Sequence, residues 1–494
     1  MDVDYAKFPQ IPAGCKLNYN NKTGAYQVYR NAWVKGVDGR KGRIVRETVG
    51  IIKNGEFIIN ANYQLRQQVE QLQKELEQAR MPEQNKVIHE QAKVVAETIT
   101  QAVSNAKMET RKSKEILIPL HYLAIICLMA SLTGKTDATS IAEYAKTHID
   151  FFKKIFPDFH PEHISHDSVR KLFFMVDPSS FDHFFKSLVG QLAREGRRVL
   201  AADGQAVRAT ARRSRQDPDL HGVRMLMNVY DTNSRVCVGQ KLIDAKTNEI
   251  FAGPELLRGI NIDKCIVTAD AMSCQHDFAQ AVLRGGGDFL ISLKSNQILT
   301  WNDVRSLFSS VDESHVFSHE DGWELDHGRI EKRKIDVIPG RFLSESIKKK
   351  WELDSGSVVR IRRSRIIKAS DQESFEEAFY ITSLRPSAEG AKAIGSIVRS
   401  HWGVENRLHW LLDMFWHQDR RQANNGAYIQ NRSALNKMGL GLLENYRFWL
   451  EASRQIRSVD DISIQSMQIR CGKPEFAIEC LAAALAPKLL AEAL

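Results

Sequence analysis

Short apolar runs alternate with helical segments between residues 197 and 293, and this order constrains the fold more than any other feature of the sequence. The apolar runs cover residues 197–204, 223–230, 236–243, 264–271 and 288–293. The second and third runs predict a hairpin, and helical periodicity fills 248–258 and 275–284. Three antiparallel strands followed by helix, strand, helix and strand are typical of an α/β fold built on one mixed sheet.

Two of the predicted strands end on an acid, Asp203 in the first and Asp270 in the fourth. A buried strand seldom ends on a carboxylate unless that group has a partner or binds a metal ion. Each acid is also followed by a small residue, so a place in a turn is the favoured interpretation for either acid alone.

A third acid lies in the stretch 400–413, which has the periodicity of a helix. Its predicted inward stripe consists of Val404, Leu408, Leu411 and Leu412. His401, Glu405 and His409 are four residues apart and therefore share another face. The neighbouring Trp402 and Trp410 are expected in the core rather than as stacking platforms for bases.

The ordered triple of Asp203, Asp270 and Glu405 favours a metal site over three separate turns. Carboxylates from two strands and a helix suit hard cations, and two Mg²⁺ ions about 3.5–4 Å apart bind the attacking and leaving oxygens in phosphoryl transfer. The alternative is a zinc site of His401, Glu405 and His409, which leaves the two strand acids unexplained.

The net charge and the cysteine content indicate the class of binding partner and the cellular compartment. A net charge of +9 favours a polyanionic partner, because clustered Lys and Arg release counterions from phosphates. Seven cysteines without a C-x-x-C pair, and no export leader, fit a reducing cytoplasm. The apolar run 116–132 is short for a membrane span and predicts a buried helix.

The first third of the chain divides into three predicted regions. Residues 1–62 predict a basic β-rich N-terminal DNA-binding module, in which Arg43 is one candidate DNA contact. Residues 63–112 predict a helical linker. Its short heptad seam leaves a coiled coil and a plain linker helix equally open: Leu65, Val69, Leu72, Leu76 and Ala79. Residues 113–197 predict a helical domain, with Ser165 as a helix N-cap.

The remainder predicts a core that is interrupted once. Residues 198–299 form its first part, and 379–494 form its remainder together with C-terminal helices. Between them, residues 300–378 predict a β-rich insertion in which Arg and Lys recur between apolar positions. Such an insertion is expected to present basic side chains.

Several ordered motifs together resemble one known family. They are Asp203-Gly204-Gln205, residues 246–250, 267–275 and 293–297, His327-Gly328-Arg329, and His401 to Asp413. The chain resembles the bacterial insertion-sequence DDE transposases of the H-repeat-associated type from about residue 113 to about residue 450. The resemblance implies a ribonuclease-H-like mixed-sheet core with a β-rich insertion, and a metal-binding, catalytic triad of Asp203, Asp270 and Glu405.

The resemblance also implies a cofactor and partners. Mg²⁺ is expected, as two ions, with Mn²⁺ as a substitute. Double-stranded DNA is the expected partner, both as the terminal repeats of the element and as the target. A homodimer is expected in the DNA complex. The expected location is the bacterial cytoplasm, at the nucleoid. The candidate DNA contacts are His401, Lys294, Asn296, Arg329, Arg208 and Arg43.

Two positions depart from the family pattern. Gln205 stands where the family commonly has Lys, so the basic contact there is absent or comes from Arg208, Arg212 or Arg213. Gln418 stands where the family usually has Glu. Two alternatives to a transposase remain open: an inactive, domesticated DNA-binding protein, and a nuclease that cleaves without strand transfer.

Overall fold

The computed structural model describes residues 11, 15–34, 43–54, 56–109, 118–156, 159–194, 196–210, 223–243, 249–326, 329–368, 372–420 and 425–485. The chain divides into two compact units, Met1–Val87 and Ile88–Leu494. In the described part, no helix has the length and apolar character needed to cross a membrane.

The first unit contains a four-stranded antiparallel sheet whose strands pair in chain order. These are β1 (Lys16–Asn20), β2 (Ala25–Val34), β3 (Arg43–Lys53) and β4 (Glu56–Ile59). The helix α1 (Ala61–Asn105) follows. Within it Leu65, Val69 and Leu72, three of the five residues of the predicted heptad seam, are 47–62% exposed, and the side chains of Leu76 and Ala79 lie outside the described residues.

A group of helices opens the second unit. They are α2 (Leu120–Leu132), α3 (Ala138–Thr147), α4 (Ile149–Ile155), α5 (His166–Met175) and α6 (Pro178–Val189). The predicted buried helix is confirmed as α2, whose residues from Leu123 to Leu132 are all buried. The Ser165 hydroxyl accepts a hydrogen bond from the backbone N–H of Ser168 at 3.2 Å and caps α5 as predicted.

The predicted strands and helices of the core follow in the predicted order. They are β5 (Val199–Val207), β6 (Arg224–Asp231), β7 (Val236–Ile243), α7 (Glu249–Arg258), β8 (Ile266–Ala269), α8 (His276–Arg284) and β9 (Asp288–Leu293). Strands β5, β6 and β7 are antiparallel, whereas β5, β8 and β9 are parallel. All four residues of β8 are buried, as expected for a central parallel strand covered on both faces.

The strands of the predicted insertion extend this same sheet. The elements are α9 (Ile298–Ser310), β10 (Phe317–Glu320), β11 (Glu324–Asp326), β12 (Arg329–Pro339), α10 (Glu345–Trp351), β13 (Ser357–Ile367) and β14 (Gln372–Thr382). Strand β14 pairs with β9, giving the order β10-β12-β13-β14-β9-β8-β5-β6-β7, with β11 beside β12. The fold is therefore mixed α/β with one large mixed sheet, as predicted.

Most basic side chains of this extension contact carboxylates within it. Asp336 binds Arg360 and Arg362, and Glu331 contacts Arg333, Arg363 and Arg365. The expectation that the insertion presents its basic side chains is wrong for these five arginines. The sheet register places four of these arginines, those of β13, opposite an acid of a neighbouring strand, whereas Arg333 lies on β12 two residues from Glu331.

The last helices pack partly on the sheet and partly on the preceding helices. They are α11 (Ala388–His401), α12 (Trp410–Phe415), α13 (Gly426–Ala452), α14 (Ile464–Arg470) and α15 (Pro474–Leu485). α11 buries Ala391, Ile394 and Val398 against one face of the sheet. α13 lies in the helical core against α2, where a side chain at Gly439 would meet the Ser131 Oγ at 2.2 Å. Glycine is thus required for this close approach of the two helices.

Candidate active site

Asp203 and Asp270 come from two parallel strands that are neighbours in the sheet. β5 and β8 pair so that Ala202 lies opposite Ala269. The prediction that Asp203 ends a strand is wrong, because Asp203 lies in the middle of β5, whereas Asp270 directly follows β8 as predicted. Because the two strands are parallel neighbours, both carboxylates line the same cavity of about 320 Å³. The backbone N–H of Ser273 donates to Asp270 Oδ1 at 3.1 Å and holds the turn after β8.

Glu405 reaches this cavity from a break in the helix. α11 ends at His401, and a π-helical turn, Val404–His409, precedes α12. Val404, Leu408 and Leu412 are buried and Leu411 is partly buried, which confirms the predicted apolar stripe, but the helical stretch contains a π turn instead of a regular α-helix. Such π turns are frequent at functional sites.

His409 links the first and third acids. Its Nδ1 lies 3.6 Å from Asp203 Oδ2 and 3.5 Å from Glu405 Oε2. One potential ligand atom from each of these three residues lies within 4.8 Å of the other two. Asp270 is outside this closest group but lines the same cavity as Asp203 and Glu405.

The electrostatics of this group leave His409 neutral. Burial lowers the pKa of His409 below its ordinary value, against the opposing effect of the hydrogen bond with Glu405. The same hydrogen bond lowers the pKa of Glu405, with a smaller contribution from the charge of Arg208. Carboxylate oxygens around one cavity are the donors that Mg²⁺ and Mn²⁺ prefer, so the residues present fit such ions.

His401 anchors the end of α11 to the sheet. Its Nδ1 lies 2.8 Å from the Thr268 hydroxyl of β8, and the ring lines the cavity. Burial lowers the pKa of His401 despite the nearby charge of Asp270. The prediction that Trp402 and Trp410 are core residues is wrong, because they are 56% and 52% exposed. Trp402 lines the cavity beside Glu405.

The other candidate DNA contacts lie at different distances from the acids. Lys294 lines the cavity, and the Asn296 side chain donates to the carbonyl of Ala271 at 2.6 Å, which supports the loop after Asp270. Arg208 is exposed just after β5. Arg329 is the first residue of β12 and Arg43 the first of β3, but the side chains of both lie outside the described part of the chain. Arg212 and Arg213 lie wholly outside the described residues.

The two departures from the family pattern contact each other. Gln418 Nε2 donates to Gln205 Oε1 at 2.8 Å, and both side chains are buried. Gln205 Nε2 also donates to Asp413 Oδ1 at 3.2 Å. Burial, together with the charge of Asp419, raises the pKa of Asp413 to about 6. An amide pair therefore occupies positions where the resemblance implies Lys and Glu.

Asn228 and Lys437 also contact the site, and sequence reasoning missed both. Asn228 Nδ2 lies 3.1 Å from His409 Nε2, and Lys437 Nζ donates to Asn228 Oδ1 at 2.6 Å. Burial lowers the pKa of Lys437 to about 8. The signal available for Asn228 was a single polar residue within an apolar run, between Met227 and Val229, whereas Lys437 follows Asn436 and carries no such signal.

Family comparisons agree with this geometry. A model described as "Transposase DDE domain" matches residues 194–438, and a second, described as "DDE_Tnp_1-associated", matches residues 105–189. The two matches cover the described sheet with its acids and the helices before it. The chain belongs to the DDE transposase family and is a DDE-type transposase enzyme.

Two of three similar curated proteins are named as transposases, and the third is uncharacterized. The "H repeat-associated putative transposase YhhI" of Escherichia coli K12 is 27% identical over 345 residues, which are 68% of this chain and 87% of the relative. The "H repeat-associated putative transposase YbfD" of the same organism is 29% identical over 38% of this chain and 72% of its own length. An uncharacterized protein from the dhlA 3′ region of Xanthobacter autotrophicus is 33% identical over 43% of this chain and 70% of its own length.

Proposed function

We propose that this transposase cuts DNA at the ends of an insertion sequence and joins the freed strands to target DNA. The observation that carries the proposal is the convergence of Asp203, Asp270 and Glu405, from two strands and a π turn, on one cavity. Strands β5 to β9 would form a ribonuclease-H-like core, with three antiparallel strands joined by two parallel ones.

The three carboxylates would hold two Mg²⁺ ions, for which Mn²⁺ would substitute. When bound, such ions stabilise the charge on the attacking and leaving oxygens of an in-line displacement. Water first attacks a phosphodiester at the element end, and the phosphorus–oxygen bond that breaks leaves a 3′-hydroxyl. This hydroxyl then attacks a target phosphodiester and replaces its leaving oxygen, without a covalent protein intermediate.

Basic and polar groups near the cavity would position the DNA. Lys294 and His401 line it, and Arg208 is exposed close enough to affect the pKa of Glu405. We propose these as phosphate contacts, together with Asn296, Arg329 and, in the first unit, Arg43. Phosphate contacts of this kind give affinity and register but no sequence preference.

Cleavage assays with triad variants test the assignment. DNA carrying the element ends is incubated with Mg²⁺ and wild type, Asp270→Asn or Glu405→Gln. We expect both variants to lose more than the roughly 100-fold that removal of an outer-shell partner costs. Asp277→Asn is the matched control, because its carboxylate is 76% exposed on α8 and lies outside the cavity. Equal cleavage by wild type and both triad variants would end the assignment.

The same assay separates the two rival functions. Joined strands in the products support a transposase, whereas cleaved DNA without joined strands indicates a nuclease. DNA binding without cleavage by the wild type, under conditions with Mg²⁺, indicates a domesticated binding protein.

We also propose that the chain forms a homodimer in the DNA complex through α1. Leu65, Val69 and Leu72 are exposed at heptad spacing, and pairing with a second copy would bury them. Light scattering of the DNA complex for the full chain and for a chain without residues 63–80 tests this idea. A mass for two copies that persists after the deletion would contradict it.

A further inference from the structure

A fully buried lysine lies behind the candidate site. The Lys437 side chain on α13 is 1% exposed, and its Nζ donates to Asn228 Oδ1 at 2.6 Å, Gln240 Oε1 at 2.6 Å and Ser433 Oγ at 3.0 Å. An ammonium group has three N–H donors and accepts no hydrogen bond. Its three donors are therefore matched by three acceptors, which is what makes a buried charge tolerable.

This arrangement determines the orientation of the Asn228 amide. Because Lys437 only donates, the oxygen of Asn228 must face it, and the amide nitrogen must face the other way. The Nδ2 group also donates to the carbonyl of Leu226 at 3.3 Å, which agrees with this orientation. The N–H of Asn228 is thus directed at His409 Nε2, 3.1 Å away.

The amide orientation in turn determines the tautomer of His409. Since Asn228 donates to Nε2, that nitrogen must be the acceptor, and the ring proton lies on Nδ1. Nδ1 is the nitrogen that faces Asp203 and Glu405. We propose that Lys437, through Asn228, holds His409 as the Nδ1–H tautomer, so that this N–H is directed at the two carboxylates, 3.5–3.6 Å away, and His409 positions them without being a metal ligand.

This inference rests on the proposed function, because it assigns Asp203 and Glu405 as the metal ligands that His409 positions. The simplest interpretation of the group formed by Asp203, Glu405 and His409 is that His409 Nδ1 joins the two acids in binding an ion, and the tautomer excludes this. A nitrogen that carries a proton has no lone pair to offer to a cation. Lys437 and Asn228 are accordingly positioning residues, since they act through His409.

Nitrogen-15 NMR of the full chain labelled at histidine tests the tautomer without metal or DNA. The signals of His409 are assigned by their loss in His409→Gln. We expect Nδ1 to be the protonated nitrogen and Nε2 the unprotonated one, and we expect this to persist when Mg²⁺ is added. A proton on Nε2 in the wild type, or transfer of the proton from Nδ1 on addition of Mg²⁺, would overturn the proposal.

Asn228→Asp replaces the amide N–H donor that faces His409 with a carboxylate oxygen acceptor and keeps the shape of the side chain. The new carboxylate pairs with Lys437 by one oxygen and accepts from His409 with the other. We expect the proton of His409 to appear on Nε2 in this variant. Ser433→Ala is the matched control, because it removes another acceptor of Lys437 without altering Asn228, and we expect its His409 signals to match the wild type. Unchanged signals in Asn228→Asp would contradict the proposed linkage.

A binding measurement links the tautomer to the acids. Calorimetry with Mn²⁺ is carried out on wild type, His409→Leu and His409→Gln. We expect His409→Leu to weaken Mn²⁺ binding by about 10–100-fold, as removal of an outer-shell partner does, and His409→Gln to recover part of it because the amide restores an N–H donor. Equal binding by wild type and His409→Leu would contradict the positioning role.

The failure of the proposed function would give a different result. If Asp203, Asp270 and Glu405 do not hold the ions, Asp203→Asn and Glu405→Gln will bind Mn²⁺ like the wild type, whatever the NMR of His409 shows. If the tautomer assignment alone fails, these variants will lose Mn²⁺ binding while the wild-type proton lies on Nε2.

Discussion

Acids in two regions of the same sheet have opposite surroundings. In the extension, Asp336 accepts hydrogen bonds from Ser318 at 2.7 Å, Arg360 at 3.0 Å and Arg362 at 2.7 Å. In the cavity, Asp203 and Glu405 lie against the neutral imidazole of His409. The guanidinium groups compensate the charge of Asp336, whereas a neutral imidazole leaves the charge of the cavity acids uncompensated, as the binding of a divalent cation requires.

The largest effect expected from this comparison concerns the extension. Burial by itself would raise the pKa of Asp336, but hydrogen bonds from Ser318 and Arg360 lower it below its usual value. Asp336→Asn leaves two guanidinium groups without their shared carboxylate. We expect it to lower the free energy of unfolding by about 3 kcal/mol, measured by urea unfolding. A loss below about 0.5 kcal/mol would show that these pairs do not stabilise the sheet.

In the cavity, the same kind of change should affect ion binding instead of folding. We expect Asp270→Asn to unfold within about 1 kcal/mol of the wild type when no metal is present. Addition of Mg²⁺ at about a hundred times its Kd should stabilise the wild type by about 2.7 kcal/mol and leave Asp270→Asn unchanged. Asp277→Asn should respond like the wild type. An equal response of Asp270→Asn would remove the distinction between the two regions.

The smallest effect concerns Asp413, at the margin of the cavity. Its pKa is raised to about 6 in the folded protein, so the folded state binds more protons than the unfolded chain between about pH 4 and pH 6. Stability therefore falls as the pH rises through this window. We expect Asp413→Asn to be more stable than the wild type at pH 8, because it removes a charge that burial disfavours. The expected gain is only about 1 kcal/mol, because solvent partly screens a half-buried group. The difference should shrink towards pH 4.5 in urea unfolding, and an equal difference at both pH values would contradict this origin.

Local pattern was enough to predict the elements of the core. Strand β9 has the predicted bounds, and β7 has the predicted bounds of the hairpin strand, because buried strands appear as apolar runs bounded by turns. Asp270 could be singled out for the same reason, because it directly follows β8, whereas β5 continues beyond Asp203 to Val207 by pairing with β6. The adjacency of the two acids follows from the parallel pairing of β5 and β8.

Contacts between distant residues could not be predicted in this way. Lys437 and Asn228 are 209 positions apart, so their hydrogen bond depends on how α13 packs against the sheet. The arginine pairs of the extension depend on strand register, which the sequence of one strand does not specify. Trp402 and Trp410 were misplaced because their large apolar rings were taken to favour the core, although a 3.6-residue period puts both on the side away from Val404, Leu408 and Leu412.

The central claim is that Asp203, Asp270 and Glu405 hold the divalent ions of the transposase. A crystal structure of the full chain with Mn²⁺, located by its anomalous scattering, tests it most directly. We expect Mn²⁺ in the cavity within about 2.0–2.3 Å of oxygens from these three carboxylates, with the His409 ring outside the coordination sphere. Mn²⁺ bound elsewhere, with no ion among the three carboxylates, would contradict the account.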